Sequence, residues 1–135
     1  MKTSEELIKE AKQKIEEINI HDFYKIWIKN QDLILIDVRE PEECQEASID
    51  RSVNFPRGIL EMKIAQHPLV NHHCDTEIAL KKLSQKDIYI ICRTGGRSAL
   101  ATITLQNMGF TKLFSIQGGM QPWIDAGYPT VSYSN

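Results

Sequence analysis

Two hydrophobic periods alternate along the chain, and each change of period marks an expected element. Thr3-Ser4-Glu5-Glu6 has capping-box spacing, with Thr3 as N-cap and Glu6 three residues on, after which Leu7, Ala11, Ile15 and Ile18 recur at helical intervals. An amphipathic helix over residues 4–17 is expected. Ile18-Asn19-Ile20 is short and β-prone, and Asp22 is placed to cap a second helix that carries Phe23, Ile26 and Trp27 and ends at Asn30-Gln31. Over residues 33–38 every position but Asp37 is apolar, the pattern of a strand buried on both faces of a parallel sheet.

Pro41 suits a first helical position, so residues 41–46 are expected to form a short helix before a brief strand over residues 52–55, and Pro56-Arg57-Gly58 then turns the chain. Residues 59–66 have helical spacing and are halted by Pro68, whereas residues 69–85 carry little pattern beyond a helix over 76–83. Ile88-Tyr89-Ile90-Ile91 is a second buried strand, residues 98–108 a helix with Gly109 at its C′ position, and Leu113-Phe114-Ser115-Ile116 the last strand. Gly118-Gly119 turns the chain into a short helix containing Pro122-Trp123-Ile124, bounded by Gly127 and Pro129. Strands alternating with helices predict an α/β fold, a parallel sheet covered on both faces by right-handed crossovers. Ligands of such sheets bind beyond the carboxyl ends of the strands, where Asp37 and Cys92 both lie.

Composition narrows the class. A chain of 135 residues holds one domain with a sizeable core, and 41% hydrophobic with 25% charged residues describe a globular protein. A net charge of −2 argues against a broadly basic surface for nucleic acid or membranes, so any anion site is local. No apolar run approaches the roughly eighteen residues of a membrane span, and residues 1–17 lack the apolar core of a signal peptide, so a cytoplasmic protein is expected. Cys44, Cys74 and Cys92 are too irregularly spaced for a disulfide framework, and Cys44 and Cys74 are expected as packed or idle thiols. His72-His73-Cys74 are adjacent and cannot all converge on one ion without distortion; a solvated loop, with no metal and no cofactor, is expected.

Candidate chemistry concentrates in Cys92-Arg93-Thr94-Gly95-Gly96-Arg97-Ser98, a cysteine at a strand end followed by two glycines, two arginines and a helix start. Glycines let backbone N–H groups turn inward, and a helix N-terminus adds positive partial charge at the loop mouth. Such surroundings favour the thiolate, the nucleophilic form of cysteine, which makes Cys92 the candidate for covalent chemistry against the alternative of a buried structural cysteine. Asp37 can orient this loop, pair with Arg39 or Arg97, or cap the turn after its own strand.

This loop resembles the active-site loop of the rhodanese family of sulfurtransferases, and three further segments resemble that family in the same order. Leu35-Ile36-Asp37-Val38-Arg39-Glu40-Pro41-Glu42-Glu43 is similar to its strand-to-helix signature, Asn54-Phe55-Pro56 to its Asn-x-Pro turn, and the run opening Gly118-Gly119-Met120-Gln121-Pro122-Trp123 to its closing segment, so that residues 18–129 are covered. The resemblance implies a five-stranded, mostly parallel sheet with helices on both faces in a domain over residues 18–135, with the amphipathic helix of residues 1–17 added outside the family core. It also implies that catalytic Cys92 takes a sulfane sulfur from a small anionic donor such as thiosulfate, holds it as a persulfide, and passes it to a thiol, cyanide or protein-thiol acceptor. Arg93, Thr94, Gly95, Gly96, Arg97 and Ser98 would bind the sulfur group and its donor, with Asp37 and Arg39 in support.

Four residues separate Cys92 from Arg97, whereas the cysteine phosphatases that resemble rhodanese in fold need five, and the position that would carry their arginine is Ser98. Ile91 stands where many of their loops have a histidine. Sulfur transfer is therefore placed above phosphatase or arsenate reductase chemistry, and a non-enzymatic persulfide carrier or regulatory module is the alternative, supported by the added N-terminal helix. That helix is expected to lay its Leu7/Ala11/Ile15 stripe on the domain or to form a dimer interface, which leaves the oligomeric state open. Trp27 and Trp123 are expected in core or edge packing. Ala47-Ser48-Ile49-Asp50-Arg51-Ser52 departs from the family's usual Gly-His-Ile and glycine-containing turn.

Overall fold

The computed structural model describes residues 1–133, so the last two residues of the 18–135 span lie outside the described residues. Strands β1 (Glu17–Ile18), β2 (Ile34–Asp37), β3 (Ser52–Asn54), β4 (Ile88–Ile91) and β5 (Leu113–Ile116) form one sheet in the order β1-β5-β4-β2-β3, every neighbouring pair parallel. An isolated antiparallel bridge joins Ser48 to Val131. The helices are α1 (Ser4–Lys12), α2 (Ile20–Lys29), α3 (Pro41–Glu46), α4 (Leu60–Lys63), α5 (Thr76–Leu83), α6 (Gly96–Met108) and α7 (Met120–Asp125).

The all-apolar central strands are explained by cores on both faces. Ile34, Ile36, Ile88 and Ile90 point to one side, where Leu60, Ile64, Ala79, Leu83, Ala101 and Leu105 of α4, α5, α6 and the turn after α4 cover them. Leu35, Tyr89 and Ile91 point to the other, against Ile20 and Phe23 of α2 and Met120 and Trp123 of α7. The strand order reverses between β2 and β4, since β3 lies outward of β2 and β5 outward of β4. Asp37 pairs in register with Ile91 at this switch point, so the segments that follow β2 and β4 leave the sheet side by side.

Several boundaries differ from the expectations. The first helix ends at Lys12 rather than residue 17, because the chain must turn and enter the sheet at Glu17, opposite Ser115. Asp22 is not the cap of α2; Asn19 is, its side chain accepting the Asp22 N–H at 2.8 Å, so the β-prone stretch ends at Ile18. The helical segment 59–66 is a short α4 between two tight 3-10 turns, Arg57–Ile59 and Ile64–Gln66. β3 stops one residue early, and α6 begins two residues earlier than expected because Gly95 caps it from the left-handed region at φ +98°. The departing turn at 47–52 is held by Arg51, whose φ is +72°; its guanidinium donates to the carbonyls of Asn30 and Trp27 at 2.8 Å each and lies 4.6 Å from the Trp27 ring centre. Among the described residues no helix is long and apolar enough to cross a membrane.

Candidate active site

β4 delivers Cys92 to the central carboxyl edge of the sheet, and the chain then closes on its sulfur. Cys92 is 1% exposed, and its Sγ accepts the Gly95 N–H at 3.0 Å. That bond requires Gly95 to fold back in a conformation that L side chains rarely adopt, and a Cβ there would stand 3.1 Å from the Gly118 nitrogen. As the first residues of α6, Gly96, Arg97 and Ser98 have backbone N–H groups with no partner inside the helix, and they follow directly on the loop. Gly96 is also where α1 reaches the site: a Cβ on it would fall 2.8 Å from Ile8 Cδ1.

A line of buried hydroxyls stands behind the sulfur. Ser98 Oγ is 3.4 Å from Cys92 Sγ, 3.2 Å from the Gly95 carbonyl oxygen and 2.9 Å from Ser115 Oγ of β5. Thr102 Oγ1 donates to the Ser98 carbonyl at 2.8 Å, which fixes that turn of α6.

On the β2 side the charges sort into two pairs. Asp37, 1% exposed, is bonded to Arg39 by both carboxylate oxygens, with Nη2 at 2.8 Å and Nε at 3.0 and 3.1 Å. Burial opposes the Arg39 charge, but the Asp37 bonds outweigh it and hold the guanidinium protonated more firmly than usual. Arg39 Nη2 also donates to the Ala47 carbonyl at 2.7 Å, which ties down the end of α3, and Asn54 Nδ2 donates to the Asp37 and Arg39 carbonyls at 2.9 Å each. Of the sequence alternatives for Asp37, the structure makes the Arg39 pair and the turn cap, the latter through the Arg39 N–H at 3.0 Å.

Arg97 is held by Glu43 of α3, with Nη1 to Oε1 at 2.7 Å and Nη2 to Oε2 at 2.9 Å. The Arg97 bonds, helped by the Glu40 N–H at 3.2 Å, lower the Glu43 carboxyl to about 2, and the same pairing raises Arg97. Arg93 and Thr94 are exposed at the rim. Cys44 is buried beside Asp37, and burial with that negative charge pushes its thiol up to about 12, an inert setting.

α7 closes the other side. The Met120 and Gln121 N–H groups donate to the Cys92 and Arg93 carbonyls at 2.8 and 3.1 Å, so the start of α7 is stitched to the loop. Gly119 makes the approach possible, since a Cβ on it would lie 2.7 Å from the Arg93 carbonyl carbon. Arg39, Glu43, Glu46, Arg93, Met120 and Ile124 line a pocket of about 110 Å³ between α3 and α7. The structure thus brings Cys92, Gly95, Gly96, Arg97 and Ser98 together, leaves Arg93 and Thr94 at the edge, and sets Asp37 and Arg39 into the wall. Sequence reasoning gave Glu43, Ser115 and the start of α7 no place at the loop; the local signals were the capping box of Glu40 and Glu43 and the Gly118-Gly119 turn ahead of α7. Among the described residues no three His, Cys, Asp or Glu are grouped to hold a metal ion.

The family model described as "Rhodanese-like domain" matches residues 8–126. A Bacillus subtilis (strain 168) protein named "Putative sulfur carrier protein YrkF" is 32% identical over 110 residues, which are 81% of this chain and 51% of that protein, so the chain spans about half of that relative's length. The solution structure of the polysulfide-sulfur transferase homodimer from Wolinella succinogenes is 30% identical with a TM-score of 0.69, covering 96% of this chain and 87% of that one. A Rhodopseudomonas palustris structure, described as a protein of unknown function and "Possible Tyrosine Phosphatase", is 29% identical with a TM-score of 0.80, covering 97% and 96%. With a parallel five-stranded sheet, a cysteine loop at its switch point and a family match over most of its length, the chain belongs to the rhodanese-like domain family.

Proposed function

We propose that the protein is a sulfurtransferase that carries sulfane sulfur on Cys92. The observation that supports this most is the seat of the sulfur: Cys92 Sγ accepts the Gly95 N–H at 3.0 Å at the start of α6, and four residues rather than five separate Cys92 from Arg97. The Cys92 thiolate attacks the outer sulfur of a donor such as thiosulfate. The donor's S–S bond breaks, sulfite leaves with its electron pair, and a Cys92 persulfide anion remains. An acceptor thiolate or cyanide then attacks the terminal sulfur, and the Cys92 thiolate departs with the electron pair as a new persulfide or thiocyanate forms. Inward N–H groups stabilise the anionic sulfur in both resting states, and Arg93 and Arg97 draw in the anionic donor.

Thiocyanate formation from thiosulfate and cyanide tests the proposal; activity is expected in the parent protein and lost in Cys92→Ser, and undiminished activity in that variant sinks Cys92 as nucleophile. The Bacillus relative's name favours a second possibility, a carrier that serves a dedicated partner. Negligible turnover together with a gain of about 32 Da on Cys92 after thiosulfate exposure selects it. The Rhodopseudomonas description points to phosphate chemistry, which the four-residue Cys92–Arg97 spacing disfavours; hydrolysis of an aryl phosphate would reverse that choice.

A further inference from the structure

Ser115 is out of place by composition. It sits in β5 between Phe114 and Ile116, is fully buried, and faces α6 from a strand that is otherwise apolar. A buried hydroxyl is costly unless bonded, and the bond it makes is to Ser98 Oγ at 2.9 Å, next to the Cys92 sulfur. We infer that Ser115 is a positioning residue for the Cys92 sulfur, acting through Ser98 when that sulfur is anionic; the inference deepens the role proposed for Cys92 and rests on it.

Ser98 has one hydroxyl proton and three polar neighbours: Cys92 Sγ, the Gly95 carbonyl and Ser115 Oγ. The carbonyl only accepts. A Cys92 thiol can donate to Ser98 Oγ, leaving the Ser98 proton for Gly95. A thiolate or persulfide cannot donate, so the Ser98 proton is needed at the sulfur. Ser98 Oγ then presents its lone pairs to Ser115, whose O–H donates to it. Ser115 thereby keeps Ser98 oriented and polarised towards the anion, and hydrogen bonds in such a chain reinforce one another.

The charged groups around this line are Arg97, which acts electrostatically on Cys92, with Glu43 paired to it; Asp37, Arg39 and Cys44 lie on the β2 side. Arg93 follows Cys92 in the chain, and Glu17 of β1 stands opposite Ser115. α7 contributes the uncharged Met120 and Gln121, and α1 the uncharged Ile8. None of these is altered by Ser115→Ala.

The test is the pH dependence of Cys92 alkylation by iodoacetamide, followed by mass spectrometry on the peptide that bears Cys92. In Ser115→Ala the rate is expected to fall about three- to tenfold at pH 6.5 and to rejoin the parent rate by pH 10. Ser98→Ala shows a drop at least as large, and the double variant is no slower than Ser98→Ala, because Ser115 acts only through it. Ser115→Thr, which keeps the hydroxyl, retains the parent profile. A merely structural serine predicts otherwise: an unchanged profile, equal slowing at every pH, a further full drop in the double variant, or a Ser115→Thr profile like that of Ser115→Ala overturns the inference. Since alkylation uses no sulfur donor, these outcomes are independent of the thiocyanate assay. A protein that neither forms thiocyanate nor gains sulfur on Cys92, but shows this profile, would retract sulfur transfer and leave Ser115 in place.

Discussion

Glu43 is held by both terminal guanidinium nitrogens of Arg97 and by the Glu40 N–H, and those bonds tie its charge to the stability of the fold. Its carboxyl stands at about 2 in the fold against 4.5 when unperturbed. Between those values the unfolded chain binds a proton that the folded chain does not. The stabilisation is therefore complete above about pH 4.5 and is lost as pH falls towards 2. In urea unfolding at pH 5 and pH 3, Glu43→Gln is expected to lose less stability over that interval than the parent protein; equal losses would remove the pair from the account. Arg97→Ala, which deletes a cation beside Cys92, is expected to lower thiocyanate formation about tenfold or more with a native circular dichroism spectrum. The loop itself was legible residue by residue, because its glycines and arginines are consecutive. The partner of Arg97 was not: Glu43–Arg97 follows from the adjacency of β2 and β4, and its separation of 54 positions leaves no local trace, whereas Asp37–Arg39, two residues apart, was among the sequence alternatives.

At the scale of elements, capping and turn chemistry located most helices to within a few residues, and tertiary demands moved their ends. Thr3 does cap α1, accepting the Glu6 N–H at 3.2 Å, yet the helical spacing of Ile15 and Ile18 continues past the helix because those residues serve the turn and β1. The stripe also turns: Leu7 is 44% exposed, whereas Ile8 and Ala11 are drawn inward as α1 lies along α6, and Gln106 Nε2 donates to the Lys14 carbonyl at 3.0 Å. The contact that matters for the loop is Ile8 against Gly96. Gly96→Ala is expected to cost about 1 kcal/mol despite alanine's better helix propensity, since its methyl meets Ile8 Cδ1. Adding Ile8→Ala should recover at least about 0.5 kcal/mol of coupling, so that the double variant is more stable than the sum of the singles allows. Additive losses in a denaturation cycle would mean that α1 does not bear on the loop.

For the whole molecule, alternating strands and helices made the parallel sheet legible, but strand order is a property of three-dimensional assembly that no window of sequence contains. The order β1-β5-β4-β2-β3 sets β4 between β2 and β5, which is why α3 and α7 flank the Cys92 loop. The two cores consequently bear on the site unequally. Trp123 is fully buried on the α7 face, packed among Phe23, Tyr24, Trp27 and Tyr128 with its Nε1 donating to the Pro129 carbonyl at 2.8 Å. It anchors the helix whose first N–H groups bind the Cys92 and Arg93 carbonyls. Leu83, equally buried, belongs to the opposite core and to α5, which lines none of the site. Trp123→Phe removes an indole bond and part of a ring, and Leu83→Ala leaves a cavity; each is expected to destabilise by about 2–3 kcal/mol in urea unfolding. Assayed well below their unfolding midpoints, the two should part company. Trp123→Phe slows sulfur transfer because α7 no longer fixes the loop carbonyls, whereas Leu83→Ala keeps the parent rate per folded molecule. Equal rates in the two variants would show that the loop holds its shape without α7, and that the sheet alone positions Cys92.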